Sequence, residues 1–281
     1  MRRWVLVAIM AGVAQSALAA DMPDLPVLRG FVSDAPRSVR TNWEGFYVGG
    51  QGGFTSSQMN FAKTNANVIS SFNANYSQLF SGSPVALPGF PGLGTTWVKN
   101  VSFGGFAGYN AQWDDAVVGV EINYSHVDLK GRFTGVPQLS QIVTTSGFDY
   151  QAIANSTASL AVHDFGTLRA RGGWAVGSFM PYAFAGLALA SGDLSRSVTA
   201  TVTQTRNFNQ PLGANAPRPI GPITVADTIK NRLLYGYTAG LGTEVCLFGS
   251  LFARVEYEYV RLTSPVDVNI NSVRGGIGYK F

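Results

Sequence analysis

The sequence is short of charge. Only 13% of its 281 residues are Asp, Glu, Lys or Arg, whereas a typical soluble domain carries roughly 25%. Apart from the N-terminal segment, it also lacks an apolar run of the ~18–20 residues that a membrane-spanning helix needs. A chain with too little charge for an ordinary soluble surface, and with no spanning helix, fits neither of those two classes of protein.

Residues with catalytic or ligating chemistry are equally scarce. A single cysteine, Cys246, excludes an internal disulfide, and the only histidines are His126 and His163. The sequence contains no metal-ligand spacing, no phosphate-binding loop and no nucleophile elbow. We therefore expect a protein without catalysis, metal or cofactor, in which the two histidines are weak candidates for a ligand site.

Glycine and aromatic residues are abundant instead, with 33 Gly, 11 Tyr and 18 Phe. Glycine eases the curvature of a closed sheet, and aromatic side chains gather at the two interfaces of a membrane. This composition is typical of a membrane β-barrel.

The N-terminus has the organisation of a secretory signal peptide. Arg2 and Arg3 precede a short apolar segment over 4–14, and Ala17-Leu18-Ala19 forms a cleavage site. We expect the signal peptide to span 1–19, with cleavage after Ala20 as the alternative, and a flexible periplasmic segment over 20–42. Without the two arginines the formal net charge falls from +4 to +2. Since no basic run is interleaved with aromatics, we expect no nucleic-acid partner.

From Trp43 onward the chain alternates between apolar and polar residues, which is the period of a β-strand. The stretch 251–262 is the clearest case, because Val255, Tyr257 and Tyr259 alternate with charged residues. Each segment can supply the ~9–11 residues with which a tilted strand crosses a bilayer. The eight strand segments are 43–54, 99–113, 116–130, 161–176, 179–194, 231–247, 251–262 and 271–281.

The connections between these segments alternate between short and long. Tight turns lie at 114–115, 177–178 and 248–250, whereas long linkers lie at 55–98, 131–160 and 195–230. The last connection, 263–270, is short. All tight turns therefore lie at one end, as the periplasmic turns of outer-membrane barrels do. The sequence predicts an all-β fold: an eight-stranded antiparallel up-and-down transmembrane β-barrel over 43–281 with three long extracellular loops.

A stripe of charge runs along the face opposite the apolar one. In a transmembrane barrel the apolar face meets lipid, so the charges point into the lumen. Two interpretations stay open: a paired network that fills a narrow lumen, or a charged constriction in a small water or ion pathway. The stripe consists of four acids and four bases: Glu121, Arg169, Arg171, Glu244, Arg254, Glu256, Glu258 and Arg274.

Four blocks of sequence resemble the alphaproteobacterial outer-membrane β-barrel family, whose members are called outer-membrane immunogenic or porin-like proteins and are relatives of the OmpA-type transmembrane domain. They are NWEGFYVGGQGGF (42–54), GTLRARGGWAV (166–176), YGYTAGLGTEV (235–245) and VRGGIGYKF (273–281). Tyr279 and the terminal Phe281 are similar to the signal read by the barrel-assembly machinery. The resemblance implies an integral protein of the Gram-negative cell outer membrane. It does not imply one activity, since members are described as structural, antigenic, porin-like or haem-binding.

These observations favour a monomeric surface antigen or adhesin with a structural role. The alternatives are a small porin-like channel or a haem- or ligand-capturing barrel, and, third, an enzyme at the extracellular rim. A collar of basic residues at the loop end would suit the phosphates of lipopolysaccharide, so lipid and lipopolysaccharide are the expected partners, together with the barrel-assembly machinery. The collar comprises Lys99, Lys130, Arg132, Arg196, Lys230, Arg232 and Arg261.

Overall fold

The computed structural model describes residues 41–81, 85–145, 147–206, 220–263 and 266–281. The expected signal peptide over 1–19, and all but the last two residues of the segment over 20–42, lie outside the described residues. The elements are β1 (Gly45–Asn60), α1 (Ala66–Ser81), β2 (Thr95–Trp113), β3 (Ala116–Thr134), β4 (Gln138–Leu139), β5 (Val143–Thr145), β6 (Phe148–Trp174), β7 (Phe179–Arg206), β8 (Ile220–Phe248), β9 (Leu251–Leu262) and β10 (Asp267–Lys280). No helix among these residues has the length and hydrophobicity to cross a membrane.

Eight of the strands close into a ring. The hydrogen-bonded order is β3-β2-β1-β10-β9-β8-β7-β6, and an additional β3–β6 pairing joins the two ends. Every pair in the ring is antiparallel; for example, Glu121 on β3 lies opposite Arg169 on β6. The short strands β4 and β5 pair with the upper part of β6. The expected eight-stranded antiparallel barrel is confirmed.

The extent predicted for the three long loops was wrong, because the strands continue far into them. β6 begins at Phe148, β7 continues to Arg206 and β8 begins at Ile220, so each exceeds the length needed to cross a bilayer. The first loop contains α1, while β1 and β2 take up both of its ends. Within the extension of β7, residues 197–203 alternate Ser and Thr with Val and Ala. That alternation is as regular as in the other strands. Because its polar face carries no charge, however, the sequence pattern predicts a loop there.

The faces of the strands exchange their character along the barrel. In the lower part of β6, nearer the turns, Leu168 is 56% exposed on the outer wall while Arg169 is buried inside. In the upper part of the same strand, Leu160 and Val162 are buried inside, and Ser159 lies on the outer side. Register shifts in β6 between Val162 and Asp164, and in β3 between His126 and Leu129, mark the change. The lower wall is apolar outside, and the upper wall is built like a soluble barrel.

Aromatic side chains form two bands on the outside of the lower wall. Phe46, Trp113 and Trp174 are 56–68% exposed near the turns, whereas Phe54 and Phe103 are 62–76% exposed farther up the wall. Between the bands the exposed side chains are aliphatic, as Ile122 (64%) and Leu241 (63%) illustrate. Aromatic girdles on both sides of an apolar band, ~25 Å tall, are the signature of a transmembrane β-barrel.

Side chains fill the interior in four successive layers. The first, which we call the turn-side layer, is mainly aromatic: Trp43, Tyr47, Phe106, Val117, Ala175, Met180, Tyr182, Phe184 and Phe252. The second is the charged layer, formed by the eight residues of the charged stripe. The third, the apolar layer, includes Met59, Leu129, Leu160, Val260 and Leu262. The fourth, the lid, packs Val68 and Phe72 of α1, together with Val85, against Ala152, Val198, Ala200 and Val202 of β6 and β7.

Candidate functional site in the lumen and on the outer wall

The charged layer brings all eight residues of the charged stripe together inside the barrel. Each is at most 4% exposed. Glu121 is at the centre and contacts three arginines: it accepts hydrogen bonds from Arg169 Nε at 3.0 Å, Arg171 Nη1 at 3.1 Å and Arg254 Nη2 at 2.6 Å. Three arginines from two strands, β6 and β9, thus converge on one carboxylate of β3, because alternate residues of each strand face the lumen.

The other three carboxylates complete the network. Glu244 binds Arg171 at 2.8 Å and Arg254 at 2.9 Å. Glu256 binds Arg169 at 2.7 Å and Arg274 at 3.2 Å. Glu258 binds Arg274 at 2.9 Å and Arg169 at 3.4 Å. Every charge therefore has at least two partners of opposite sign, as buried ions require if their desolvation is to be offset.

Two tyrosines and two phenylalanines complete the surroundings of the network, and sequence reasoning missed them. Tyr47 donates a hydrogen bond to Glu121 at 2.8 Å, and Tyr182 donates one to Glu256 at 2.7 Å. The guanidinium of Arg254 lies 3.7 Å from the ring centre of Phe106, and Phe184 contacts Arg169 in the same way at 4.0 Å. Parity could have revealed Tyr47, since it lies four residues before the inward-facing Gln51.

The two candidate histidines are not in the lumen. Both lie part-way along their strands on the outer wall, His126 on β3 and His163 on β6. His126 Nδ1 lies 2.8 Å from Asp164, whose carboxylate also accepts a hydrogen bond from Tyr124 at 2.6 Å. His163 lies 3.7 Å from Asp128 and 3.8 Å from the carboxylate of the neighbouring β7 residue 193. Among the described residues, no group of three or more His, Cys, Asp or Glu is arranged to hold a metal ion.

The basic collar is less continuous than the sequence indicated. Arg196 is inside the rim, where it donates to the carbonyl of Thr64 at 2.9 Å and pairs with Asp227. Lys130 pairs with Asp128 at 2.8 Å, and this hydrogen bond lowers the pKa of the Asp128 carboxyl. The collar residues that remain exposed and have no ion pair within the described part of the chain are Lys99, Arg132, Lys230, Arg232 and Arg261.

The C-terminal aromatic pair lies on the outer wall beside the turns. Tyr279 is 50% exposed and Phe281 is 76% exposed, and their rings meet edge to face with centroids 5.3 Å apart. Cys246 is also at this end, where its thiol lies 3.5 Å from the carbonyl of Gly249 in the last tight turn.

Comparison with known proteins gives one clear relative. No protein-family model matches the sequence. Over 178 residues the chain is 29% identical to the 25 kDa outer-membrane immunogenic protein of Brucella ovis. The match covers 63% of this chain and 62% of the length of that relative.

Solved structures with a similar course include neisserial surface protein A, with 14% identity, a TM-score of 0.33 and coverage of 84% of this chain and 97% of that one. The N-terminal β-barrel domain of Pseudomonas aeruginosa OprF gives 13% identity, a TM-score of 0.30 and coverage of 83% and 99%. These TM-scores are too low to support an argument, so the fold assignment depends on the strand pairing of the chain itself.

The chain is an outer-membrane β-barrel. The apolar band between two aromatic girdles and the likeness to the Brucella ovis protein agree on this location, and the resemblance read from the sequence is confirmed.

Proposed function

We propose that this protein is a non-catalytic, non-conducting barrel. It strengthens the outer membrane and presents its upper wall and lid as an antigenic or adhesive surface. The observation that carries the proposal is the filled interior. The turn-side, charged and apolar layers occupy the lumen in series, and each consists of fully or almost fully buried side chains.

The charged layer supports a scaffold more than a pathway. A constriction that conducts ions needs charges that face water, whereas these carboxylates are at most 1% exposed and are paired with arginines. An eight-stranded barrel is only just wide enough for its side chains to fill. The layer is therefore best interpreted as the polar core of the membrane-spanning part.

The histidines give little support to haem capture or rim chemistry. His126 and His163 face outward and are held by aspartates rather than facing a cavity. Asp164 is also occupied by Tyr124. A hydrolase base would need a nucleophile within hydrogen-bond reach, and neither histidine has a serine, threonine or cysteine among its hydrogen-bond partners in the described residues.

The proposal also names the partners of the barrel. Outer-membrane lipid contacts the apolar band, and the phosphates of lipopolysaccharide approach the exposed collar residues Lys99, Arg132, Lys230, Arg232 and Arg261. The barrel-assembly machinery reads Tyr279 and Phe281, and the folded protein is a monomer.

Cysteine labelling of intact cells tests the exposure of the upper wall. The native Cys246 is replaced by serine, and single cysteines are introduced at Val136, which is 77% exposed beside β4, or at Ser178 in a tight turn as the matched control. A membrane-impermeant maleimide should label Val136→Cys on intact cells. It should label Ser178→Cys only after the outer membrane has been permeabilised.

The reverse pattern, with Ser178→Cys labelled on intact cells, would contradict the proposal. Adhesion is then measured by comparing wild-type cells with cells whose barrel lacks the tip residues 136–145, at equal amounts of barrel in the membrane. Equal attachment to host cells would remove the adhesive part and leave the structural and antigenic parts.

A further inference from the structure

One edge of the upper half of β8 has no strand partner among the described residues. β9 ends at Leu262, which lies opposite Gly236, so β8 continues toward Ile220 with β7 alone as its partner. The last bond across the β8–β9 seam runs from the amide of Thr263 to the carbonyl of Tyr235, at 3.1 Å. Beyond that point, no described residue hydrogen-bonds to the outer edge of β8. A row of backbone donors and acceptors on this edge thus has no partner in the described part of the chain.

The protection that usually blunts such edges lies mainly at the two ends of this one, and the one charge between them, Asp227, is paired with Arg196. Proline, lysine and bulges are the common devices. Pro222 stands at the upper end, while Lys230 and Asn231, with its positive φ of 51°, stand at the lower end. Between them, Ile223–Ile229 contains no proline, glycine or lysine. This segment is therefore competent to accept another strand.

An apolar shelf accompanies the open edge. Ile223, Val225 and Ile229 point toward the lid side of the sheet, yet they are only half-buried. On the adjacent strand, Val198 and Val202 on the same face are 1–2% exposed. The difference arises because β7 has a strand on both sides, whereas the upper part of β8 has only β7 among the described residues. An added strand would cover this shelf with every second side chain.

Two cations flank the lower end of the edge. Lys230 is exposed on the outer side of β8. Arg232 has the same parity as the buried Leu234, yet it is exposed, because β9 no longer extends past it. Neither cation has an ion pair in the described residues. They favour an acidic side chain in whatever occupies the edge.

We propose that the segment Ile223–Ile229 binds an extended peptide segment of another protein by β-strand addition. The peptide alternates apolar and polar residues and places an acidic residue beside Lys230 and Arg232. Main-chain hydrogen bonds supply affinity in this mode, and the alternate side chains supply specificity. The inference rests on the proposed function only for the exposure of this edge at the cell surface.

A second copy of the chain fits the edge less well. Two barrels in one membrane would be related by a twofold axis along the membrane normal, which holds their β8 strands at the same height. Lys230 and Arg232 would then face the same cations of the other copy, and directly opposed like charges are destabilising. An acidic peptide has no such conflict.

Fluorescence anisotropy with purified full-length barrel in detergent micelles tests the proposal. The probe is a labelled synthetic peptide in which valine and threonine alternate and which ends in two glutamates. The control probe has the same sequence but is N-methylated at alternate amides, which removes the hydrogen bonds on one edge. We expect the first probe to bind and the methylated one to bind at least about tenfold more weakly.

Charge-reversal variants separate strand addition from simple attraction. Lys230→Glu combined with Arg232→Glu should weaken the first probe about fivefold or more, whereas the matched exposed pair Lys99→Glu with Arg132→Glu should leave it unchanged. Hydrogen exchange at Ile223–Ile229 should slow when the probe is bound. None of these residues belongs to the buried layers, so the variants should fold.

Three outcomes would overturn the inference. They are equal binding of the methylated probe, as expected for any anionic group including a lipid phosphate; absence of binding by the unmethylated probe; or a dimer of the wild-type barrel in sedimentation. All are measured on purified protein. The strand-addition proposal can therefore be disproved while labelling of Val136→Cys on intact cells still succeeds. The two proposals thus stay distinguishable.

Discussion

At the scale of single residues, the stability of the charged layer depends on every ion having its partners. A buried ion pair contributes little net stability when it is intact, because desolvation offsets attraction, but the removal of one partner leaves an uncompensated charge. Arg254 illustrates the point, since it contacts Glu121, Glu244 and the ring of Phe106. Its loss would leave two carboxylates with fewer partners in a space that excludes water.

Arg254→Ala should therefore lower the free energy of unfolding by about 3–5 kcal/mol. Arg261→Ala, on the same strand but exposed on the outer wall, should change it by less than about 0.5 kcal/mol. Urea unfolding in detergent, followed by tryptophan fluorescence and by the mobility difference between heated and unheated samples, measures both values. Equal losses in the two variants would show that Arg254 is not part of an electrostatically closed layer.

At the scale of elements, the lid depends on a few apolar contacts. Phe72 of α1 is fully buried, and its ring meets Phe90 edge to face with centroids 5.0 Å apart. Nothing else along the helix buries a ring so completely, within the side chains that the structure describes. The anchoring of the first loop over the upper wall should therefore be sensitive to this one position.

Phe72→Ala should loosen the lid by about 3 kcal/mol or more without unfolding the membrane-spanning wall. Lys63, the only basic residue in 55–98, then becomes a faster site of trypsin cleavage. The rate at which the fragment ending at Lys63 appears is compared with that of Asn73→Ala, which alters an exposed helix position. An unchanged cleavage rate in Phe72→Ala would mean that the helix is not held by its apolar face.

The sequence predicted the membrane-spanning strands better than the surface ones. β9 has its predicted bounds, because lipid outside and charge inside give 251–262 a strong contrast between its faces. The upper parts of β7 and β8 were missed because threonine on the water-facing side and valine on the inner side differ little in polarity. Arg196 was assigned to the collar because of its place in the sequence. Its interior contact with Thr64 depends on the path of the first loop, which the residue pattern does not encode. Tyr47 and Tyr182 look like lipid-facing aromatics in the sequence, and only the closed ring of strands shows that they face the lumen.

At the scale of the whole molecule, the barrel combines two kinds of wall in one continuous sheet. The lower wall is apolar outside because lipid is its solvent, and its charged residues face each other inside. The upper wall is polar outside because water is its solvent, and its apolar residues face inward. One hydrogen-bonded sheet passes through both environments, closed around the lower wall and extended upward by β6, β7 and β8. The interior therefore changes from aromatic to charged to apolar as the surroundings change.

These layers close the lumen in series, and a pathway needs all of them open. We therefore expect that no single-layer variant conducts: Phe252→Ala in the turn-side layer, Arg254→Ala in the charged layer and Leu160→Ala in the apolar layer should all behave like the wild type. Stepwise currents in planar bilayers are the measurement, with a general-diffusion porin reconstituted in parallel as the positive control. Each cavity made this way leaves two intact layers, and an apolar layer that is filled excludes both water and ions. If Arg254→Ala alone carried current, the aromatic and apolar layers would not be seals, and the charged layer would have to be regarded as the gate of a pore.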